Sequence, residues 1–538
     1  MYDKEVEVLV VGGSLVGMST ALLLADHGIK ALAVEHHRGT AIHPRAAQIS
    51  QRTMEVFRVV GVEQIVRAES DKQFVQDGAI SAVESLAGKE LASYIPNLNE
   101  GVRDISPTIR LFITQSLLEP VLKRRAEELG AELMFATEMM SFEQDADGVT
   151  ATIRNRDSGH TQTVRARYMV AADGAHSPVR DRLGIAMLGH GTFSKSITIY
   201  FRGKLGPLLR GRNLSVIYIN NQMLRGFFRL EKPFDAGFLA VNAIGDPERP
   251  VTDVSSGLSD EKCVEYIRSA IGTDDVPITI DNVMHWNACA DVAEHFSSGR
   301  IFLVGDAAHV MPPNGGFGGN TGVQDAHNLA WKLAMVLKGT AGLELLATYE
   351  AERRPAASFT VEQAYSRYVT RSAPYLGTEG MQPLENDLNI ELGYAYYSSA
   401  IISDGDDPRP HYNPRESRGR PGTRAPHLWL RRGNDRISPL DLFGKNFVLL
   451  TGRDGTAWCG AARDAAAQLG VAIDVHQIGG SNAIADPDDA FPTAYGISAG
   501  GAVIVRPDGF VAWRAHSAES VASHVVRGAL ASVLSRTI

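Results

Sequence analysis

Two glycine-bearing turns lie far apart in this chain, and each carries residues that could hold a cofactor. Gly12, Gly13, Ser14 and Gly17 follow the apolar run Val8-Leu9-Val10-Val11, and Glu35 closes a second apolar run. Glycines at a strand end allow a sharp turn and let helix-start amides approach a pyrophosphate, while an acid after the next strand can bind two ribose hydroxyls. Downstream, Gly305-Asp306 follows another apolar run and leads into Pro312-Pro313-Asn314-Gly315-Gly316-Phe317-Gly318-Gly319-Asn320. An aspartate there can accept from a ribityl hydroxyl. The glycine-rich turn and the helix after it bring amides and a positive dipole end to a ring that gains negative charge on reduction. The first turn alone, with Ser14 where the middle glycine of the fingerprint is usual, would also suit an unrelated α/β protein. The two turns together describe one domain that holds FAD at both ends, and hence a redox enzyme.

Those turns need strands and helices to carry them. Residues 6–11 and 31–34 read as buried parallel strands around a helix over 15–27, with Gly28 as its stop. Helices are predicted over 51–58 and 115–130, a β-meander over 133–143 and 148–154, and buried strands over 168–172 and 301–304. Between residues 188 and 286 aromatic and aliphatic residues alternate at 197–201, 216–219, 226–230 and 237–241, which predicts an inserted, mostly antiparallel sheet. A helix is predicted over 323–337, and a long helical stretch runs on to 371. The stretch 404–426, rich in Pro, Arg, Asp and Gly, reads as a linker to a small α/β unit with strands at 447–450, 471–477 and 502–505. The expected architecture is α/β: a Rossmann-like FAD-binding domain (1–187 and 287–400), a middle substrate domain (188–286) and a C-terminal unit (401–538).

Composition narrows the function classes. With 44% hydrophobic and 21% charged residues the 538-residue chain is an ordinary globular protein. A formal net charge of −9 and the lack of a long basic run speak against nucleic acid. Three cysteines, Cys263, Cys289 and Cys459, show no disulfide or zinc pattern, so no metal is expected and a reducing compartment is. The acidic start and the absence of any run of about 18 apolar residues predict neither signal peptide nor membrane span, hence a cytoplasmic enzyme.

Two further motifs are ambiguous on their own. Asp173-Gly174-Ala175-His176-Ser177-Pro178-Val179-Arg180 after a strand is, on its own, better explained by a β-turn than by a cofactor loop. His309 could be a base, though a structural role is the stronger reading. In order and spacing, the glycine fingerprint, the Asp-Gly motif and the Gly-Asp motif resemble those of the class A flavoprotein monooxygenases, the FAD-dependent aromatic hydroxylases. His43-Pro44-Arg45-Ala46, Thr114-Gln115-Ser116-Leu117-Leu118-Glu119 and Tyr349-Glu350-Ala351-Glu352-Arg353-Arg354-Pro355 extend the resemblance. The segment 501–514 is similar to the thioredoxin-like C-terminal domain of the larger members. Among these the chain looks most like hydroxylases of polycyclic aromatic polyketides, and phenol hydroxylases share the architecture.

The resemblance implies roles at matching positions. Glu35 would bind adenosine ribose. Arg45 and Gln115 would contact the FAD phosphates or ribityl, and Arg45 could also approach the flavin. Asp173 would shape the FAD site, a segment that could also serve NAD(P)H. Asp306 would bind ribityl or pyrophosphate, and Pro313 with Gly318, Gly319 and Asn320 would line the isoalloxazine. The substrate wall would draw on Tyr200, Tyr218, Met223, Phe227, Phe228, Trp286 and Phe317, residue types that at strand spacing are more often plain core. The implied chemistry is reduction of FAD by NADPH (NADH as an alternative), reaction with dioxygen to a flavin hydroperoxide, and hydroxylation of a phenolic ring without any protein nucleophile. Baeyer–Villiger oxygenation, antibiotic inactivation, simple-phenol hydroxylation and a non-catalytic carrier are the rival readings. In the C-terminal domain Cys459 lacks the second cysteine of C-x-x-C, because Ala462 stands there, so the domain reads as structural or as support for a homodimer.

Overall fold

The computed structural model describes residues 2–42, 48–246, 249–250, 253–405, 409–480, 483–518 and 523–537. The strand Lys4–Val11 lies between the strand Ala31–Val34 and the strand Thr161–Ala171, parallel to both. The parallel strand Ile301–Leu303 joins on the far side of Thr161–Ala171, and Glu132–Met134 beside Ala31–Val34. Residues 8–11, 31–34 and 301–303 of these runs are buried, as strands of a parallel sheet are. The helix Leu15–Asp26 begins directly after the first turn and packs on the helix Phe317–Leu337. All strand ends that bear the predicted motifs therefore open at one edge of one sheet.

Two glycines make that edge possible. Gly12 has φ +102°, and a Cβ there would lie 2.2 Å from the Ala172 carbonyl oxygen; a Cβ on Gly17 would lie 1.8 Å from the Gly12 oxygen. Both glycines let backbone approach backbone in the first turn.

The second sheet has eight strands and is wider than residues 188–286. Its long strands Met187–Arg202 and Thr279–Ala293 pair antiparallel, followed by Ala236–Ile244, Leu224–Glu231 and Leu214–Asn220. Ala79–Val83, Glu90–Ile95 and the two-residue strand His309–Val310 complete it from outside the inserted stretch, Ala79–Val83 pairing parallel to Leu214–Asn220 and His309–Val310 antiparallel to Thr279–Ala293. One face carries Ile197, Ile199, Ile217, Ile219, Phe228, Leu239 and Val241 against the helix Asp260–Ile271, an element the alternation of the strands gave no hint of. Period-2 geometry then sends Thr198, Tyr200, Tyr218, Phe227, Arg229 and Phe238 to the other face.

The C-terminal unit has strand order Ile473–Gln477, Phe447–Thr451, Ala502–Val505, Val511–Ala515; the first pair is parallel and the rest antiparallel. The helices Thr456–Leu469 and Ser523–Val533 pack together on it, giving the expected thioredoxin-like arrangement. Cys459 is buried, and burial pushes its thiol up, away from the reactive range. One face of this sheet joins the main core: the Phe447 and Trp331 rings stand 5.8 Å apart, edge to face. The stretch read as a linker contributes buried contacts too, Arg424 Nε donating to Glu55 at 2.9 Å.

Two buried histidines make the fold acid-sensitive. Burial, with Lys338 and Lys445 nearby, pushes His27 from 6.5 down to about 4; burial, with Arg52 nearby, pushes His327 down to about 3. On acidification below 6.5 the unfolded chain takes up protons at these sites and the folded chain does not. Stability is therefore lost as pH falls through the window from 6.5 toward 4 and 3. Urea midpoints should drop between about pH 7 and about pH 5, and His327→Gln should flatten the profile. An unchanged slope in that variant would assign the acid sensitivity to other groups.

Candidate functional site

A single cavity of about 1780 Å³ runs from Glu35, past the start of the helix Leu15–Asp26 and past Asp306, to the face of the second sheet opposite the helix Asp260–Ile271. At its near end Glu35 accepts from the turn and also lines the cavity. The Gly13 amide donates to Oε2 at 2.6 Å, and the His37 amide donates to Oε1 at 2.8 Å, with the His37 ring at 2.6 Å. Burial alone would raise the Glu35 carboxyl, but the His37 and Gly13 amides and the His37 ring hold it below its ordinary value. It is thus an anion at neutral pH beside a helix N-terminus, suited to two ribose hydroxyls. Glu35, His36 and His37 are the cluster among the described residues whose ligand atoms lie within metal-binding reach of one another.

Ser14, Leu15 and Val16 bring helix-start backbone to the cavity beside Gln115. Glu119 braces this point: its carboxylate accepts from the Leu15 amide at 3.0 Å and the Ala41 amide at 2.6 Å. A Cβ on Gly13 would come within 2.6 Å of the Glu35 Cβ, so the acid and the turn leave space only for a backbone cradle. An acid for ribose, a helix N-terminus for pyrophosphate and a second acid, Asp306, for a ribityl chain are the donor and acceptor set that FAD needs, and the residues present fit it.

At the far end Pro313, Gly318 and Gly319 line the cavity, as does Asn320. The turn is tighter than predicted, because residues 317–322 already belong to the helix Phe317–Leu337. Low helix propensity of the glycines is overcome by local bonds. Asn320 Nδ2 donates back to the Gly316 oxygen at 2.7 Å and to the Gln48 oxygen at 2.9 Å, and its Oδ1 accepts from the Ser50 amide at 2.8 Å. Asn320 therefore pins the turn to the strand Gln48–Ile49.

The Asp173 carboxylate serves the turn behind the cavity. It accepts from Ser177 Oγ at 2.5 Å and the Val179 amide at 3.1 Å, and burial raises its carboxyl. Its neighbours Gly174, Ala175 and His176 reach the cavity instead. Arg180, from the same motif, donates to the Ala307 oxygen at 3.3 Å and so ties this turn to the Gly305-Asp306 turn. Arg45 lies outside the described residues.

The sheet wall receives Tyr200, Tyr218, Phe227 and Trp286 of the predicted set, together with Thr198, Arg229 and Phe238, and Arg371 at the end of the helix Ala347–Arg371 lines the cavity beside them. Trp286 Nε1 donates to Thr198 Oγ1 at 3.0 Å, and Asn314 Nδ2 donates to the Tyr218 hydroxyl at 3.3 Å, which joins wall and turn. Three predicted wall residues lie elsewhere. Phe228 is fully buried on the opposite face, since it follows Phe227 on one strand, and Met223 packs on that same core. Phe317 points into the helical layer beneath the Arg367 guanidinium, 5.3 Å away. Gly12 and Gly17, expected at the cofactor, lie behind the cavity as packing glycines.

His309 is completely buried, and its Nε2 lies 2.7 Å from Asp325 Oδ2. Asp325 escaped the sequence reading. It accepts also from the Gly305 amide at 3.1 Å and from Arg353 Nε at 2.8 Å, so it orients the turn that presents Asp306. Burial would raise Asp325, but Arg353 and His309 hold it low.

Residues 5–364 match the family described as FAD binding domain, and residues 418–537 match the aromatic-ring hydroxylase C-terminal family. The chain is 51% identical to a 4-methyl-5-nitrocatechol 5-monooxygenase of Burkholderia sp, over 99% of this chain and 98% of that one. It is 40% identical to the tetracenomycin A2 monooxygenase-dioxygenase of Streptomyces glaucescens, over 100% and 98% respectively. Among solved structures, a ternary complex of aklavinone-11 hydroxylase with FAD and aklavinone superimposes with a TM-score of 0.93 at 37% identity, covering 100% of both chains.

Proposed function

The chain belongs to the FAD-binding aromatic-ring hydroxylases, and from that membership we propose that it inserts one oxygen atom into a phenolic ring of a polycyclic aromatic polyketide, with NADPH as reductant. It is an FAD-dependent monooxygenase. Bound FAD, once reduced by the nicotinamide cofactor, lets one atom of dioxygen pass to the ring while the other leaves as water.

The observation that carries the reading is the continuity of the cavity. Its volume of about 1780 Å³ exceeds the roughly 300–1,000 Å³ of a single-ligand pocket, so it has room for a dinucleotide and a multi-ring arene end to end. In the proposed roles Glu35 holds the adenosine ribose, the Ser14–Leu15 helix start and Gln115 take the pyrophosphate region, and Asp306 takes the ribityl chain. Pro313, Gly318 and Gly319 back the ring system. Tyr200, Tyr218, Phe227 and Trp286 hold the substrate plane and exclude water, which keeps the activated oxygen from leaving as hydrogen peroxide. The phenol's own hydroxyl supplies the electron density, so no protein nucleophile is required.

A second reading is a single-ring nitrocatechol as substrate. The 51% identity over nearly the whole of both chains to a nitrocatechol monooxygenase favours it. A panel of hydroxylated anthraquinones, simple phenols and nitrocatechols, assayed for stimulated NADPH oxidation, separates the two. The polyketide reading predicts strong stimulation by the anthraquinones and a product heavier by one oxygen with its rings intact. Nitrite release with stimulation confined to nitrocatechols would replace it by the second reading, and ring expansion by one oxygen would indicate Baeyer–Villiger chemistry. The proposal includes a cytoplasmic location, supported by the three free cysteines, and a homodimer, which sedimentation would check. Among the described residues no helix is long and apolar enough to cross a membrane.

A further inference from the structure

Beside the aromatic wall stands an acid that the proposed roles leave unused. Asp387 lines the cavity, and its side chain is 16% exposed. It opens the short helix Asp387–Leu392, but the capping is done by Asn386, whose Oδ1 accepts from the Leu388 amide at 2.9 Å. Asp387 Oδ1 accepts from Arg367 Nε at 3.1 Å and from Arg367 Nη2 at 2.5 Å. Arg367 is buried and fixed in its turn, Nη1 donating to Gln363 Oε1 at 2.9 Å and Nη2 to the Glu385 oxygen at 2.5 Å. Among the described residues no donor reaches Asp387 Oδ2, and that oxygen keeps accessible surface. Arg371, one turn further along the same helix, lies over the Tyr94 ring at 4.7 Å, while the ion pair of Asp387 is with Arg367.

The Arg367 fork fixes the carboxylate and leaves Oδ2 as an open, charged acceptor. When an arene fills this end of the cavity, that oxygen loses its water. An arene without a donor there leaves a desolvated anion, and one with a hydroxyl there restores the bond. The cost falls on the wrong substrate, so a polar group of this kind discriminates more sharply than an apolar wall does.

We propose that Asp387 Oδ2 accepts a hydrogen bond from a second ring hydroxyl of the aromatic substrate, and so selects dihydroxylated arenes over their monohydroxylated parents. This rests on the reading that the aromatic-walled end of the cavity takes the ring to be oxygenated. A carboxylate, ordinarily titrating near about 4, is a far weaker base than a phenolate at about 10. The proton therefore stays on the hydroxyl, and Asp387 acts in binding and orientation.

The test uses the oxidised FAD-loaded enzyme and reads ligand binding by the change in flavin absorbance. Phenol is compared with catechol, resorcinol and hydroquinone, and 2-hydroxyanthraquinone with its 2,6- and 2,7-dihydroxy analogues. Each diol is paired with its monomethyl ether, which keeps the oxygen and loses the donor. The native enzyme should bind at least one diol about 10-fold or more tighter than both the monohydroxy arene and the ether. In Asp387→Asn the amide oxygen stays on the Arg367 fork and Nδ2 replaces Oδ2, so a donor stands where an acceptor stood. The variant should lose the preference by binding the diol more weakly and the monohydroxy arene at least as tightly as the native enzyme does. Mere structural damage would weaken every arene alike. If Asp387→Asn does not retain flavin, Asp387→Ser, which removes the open oxygen, should show the same loss of preference. The ether comparison needs no variant: an ether that binds the native enzyme as tightly as its diol overturns the proposal. An undiminished preference in a flavin-loaded variant, or no preference in the native enzyme while the arenes bind, overturns the role of Asp387 and leaves the hydroxylase reading standing. A flavin spectrum that responds to no arene overturns both.

Discussion

Asp325→Ala is expected to destabilise the protein by about 3–5 kcal/mol and to release most of its flavin. The side chain is fully buried and accepts from three donors: the Gly305 amide, the His309 ring and Arg353 Nε. Removing it leaves the Arg353 guanidinium buried with only neutral acceptors, the Tyr396 hydroxyl at 3.0 Å and the Thr321 oxygen at 3.3 Å. An uncompensated buried charge accounts for most of the loss. The Gly305 turn loses its anchor as well, and with it the placement of Asp306. Asp325→Asn keeps an acceptor for the Gly305 amide but not the charge, so it should hold more flavin than the alanine variant at similar cost in stability. Urea unfolding with bound-flavin quantification checks both. A loss below about 1 kcal/mol would mean that Asp325 is not the support described, since that is the range of an exposed ion pair.

Arg506→Met is expected to have an effect of similar size, by loosening the C-terminal unit from the cofactor domain. Arg506 is fully buried and donates to both Glu352 oxygens, at 2.6 and 2.9 Å, and to Asp508 Oδ1 at 3.0 Å. Glu352 also accepts from Lys332 Nζ at 2.8 Å, and Asp508 from Trp331 Nε1 at 3.1 Å, both on the helix that starts at the flavin turn. Without Arg506 two carboxylates share one lysine, whose own ammonium burial already pushes down to about 8. The variant should lose about 3–5 kcal/mol, with the C-terminal unit becoming protease-sensitive before flavin is lost. Simultaneous loss of both would show that the two units unfold as one body.

What was legible in the sequence was local. The Gly12–Gly17 turn, Glu35 and the Gly305-Asp306 turn were readable because strand, turn and helix follow one another within a few residues, and turn chemistry fixes where backbone amides point. The substrate wall was only half readable. Phe227 and Phe228 are adjacent on one strand and must face opposite sides, and the residue that faces the cavity depends on a register no single strand reveals. Ala79–Val83 joined the sheet from more than a hundred residues away, beyond the reach of any periodicity. Asp325 looked like one polar residue in a long helix; its importance lies in Arg353 and Gly305, neither of which is near it in sequence. Nothing in the sequence marked Arg229, whose guanidinium lies between the Phe74 and Phe238 rings, because those contacts join separate elements.

The most direct test of the central claim is turnover of the FAD-loaded enzyme under isotopically heavy dioxygen with the best substrate of the panel. Aromatic-ring monooxygenation predicts one heavy oxygen atom in the product for each reduced nicotinamide consumed, bonded to a ring carbon. A product without heavy oxygen, or nicotinamide oxidation that ends wholly in hydrogen peroxide with every arene, would contradict it.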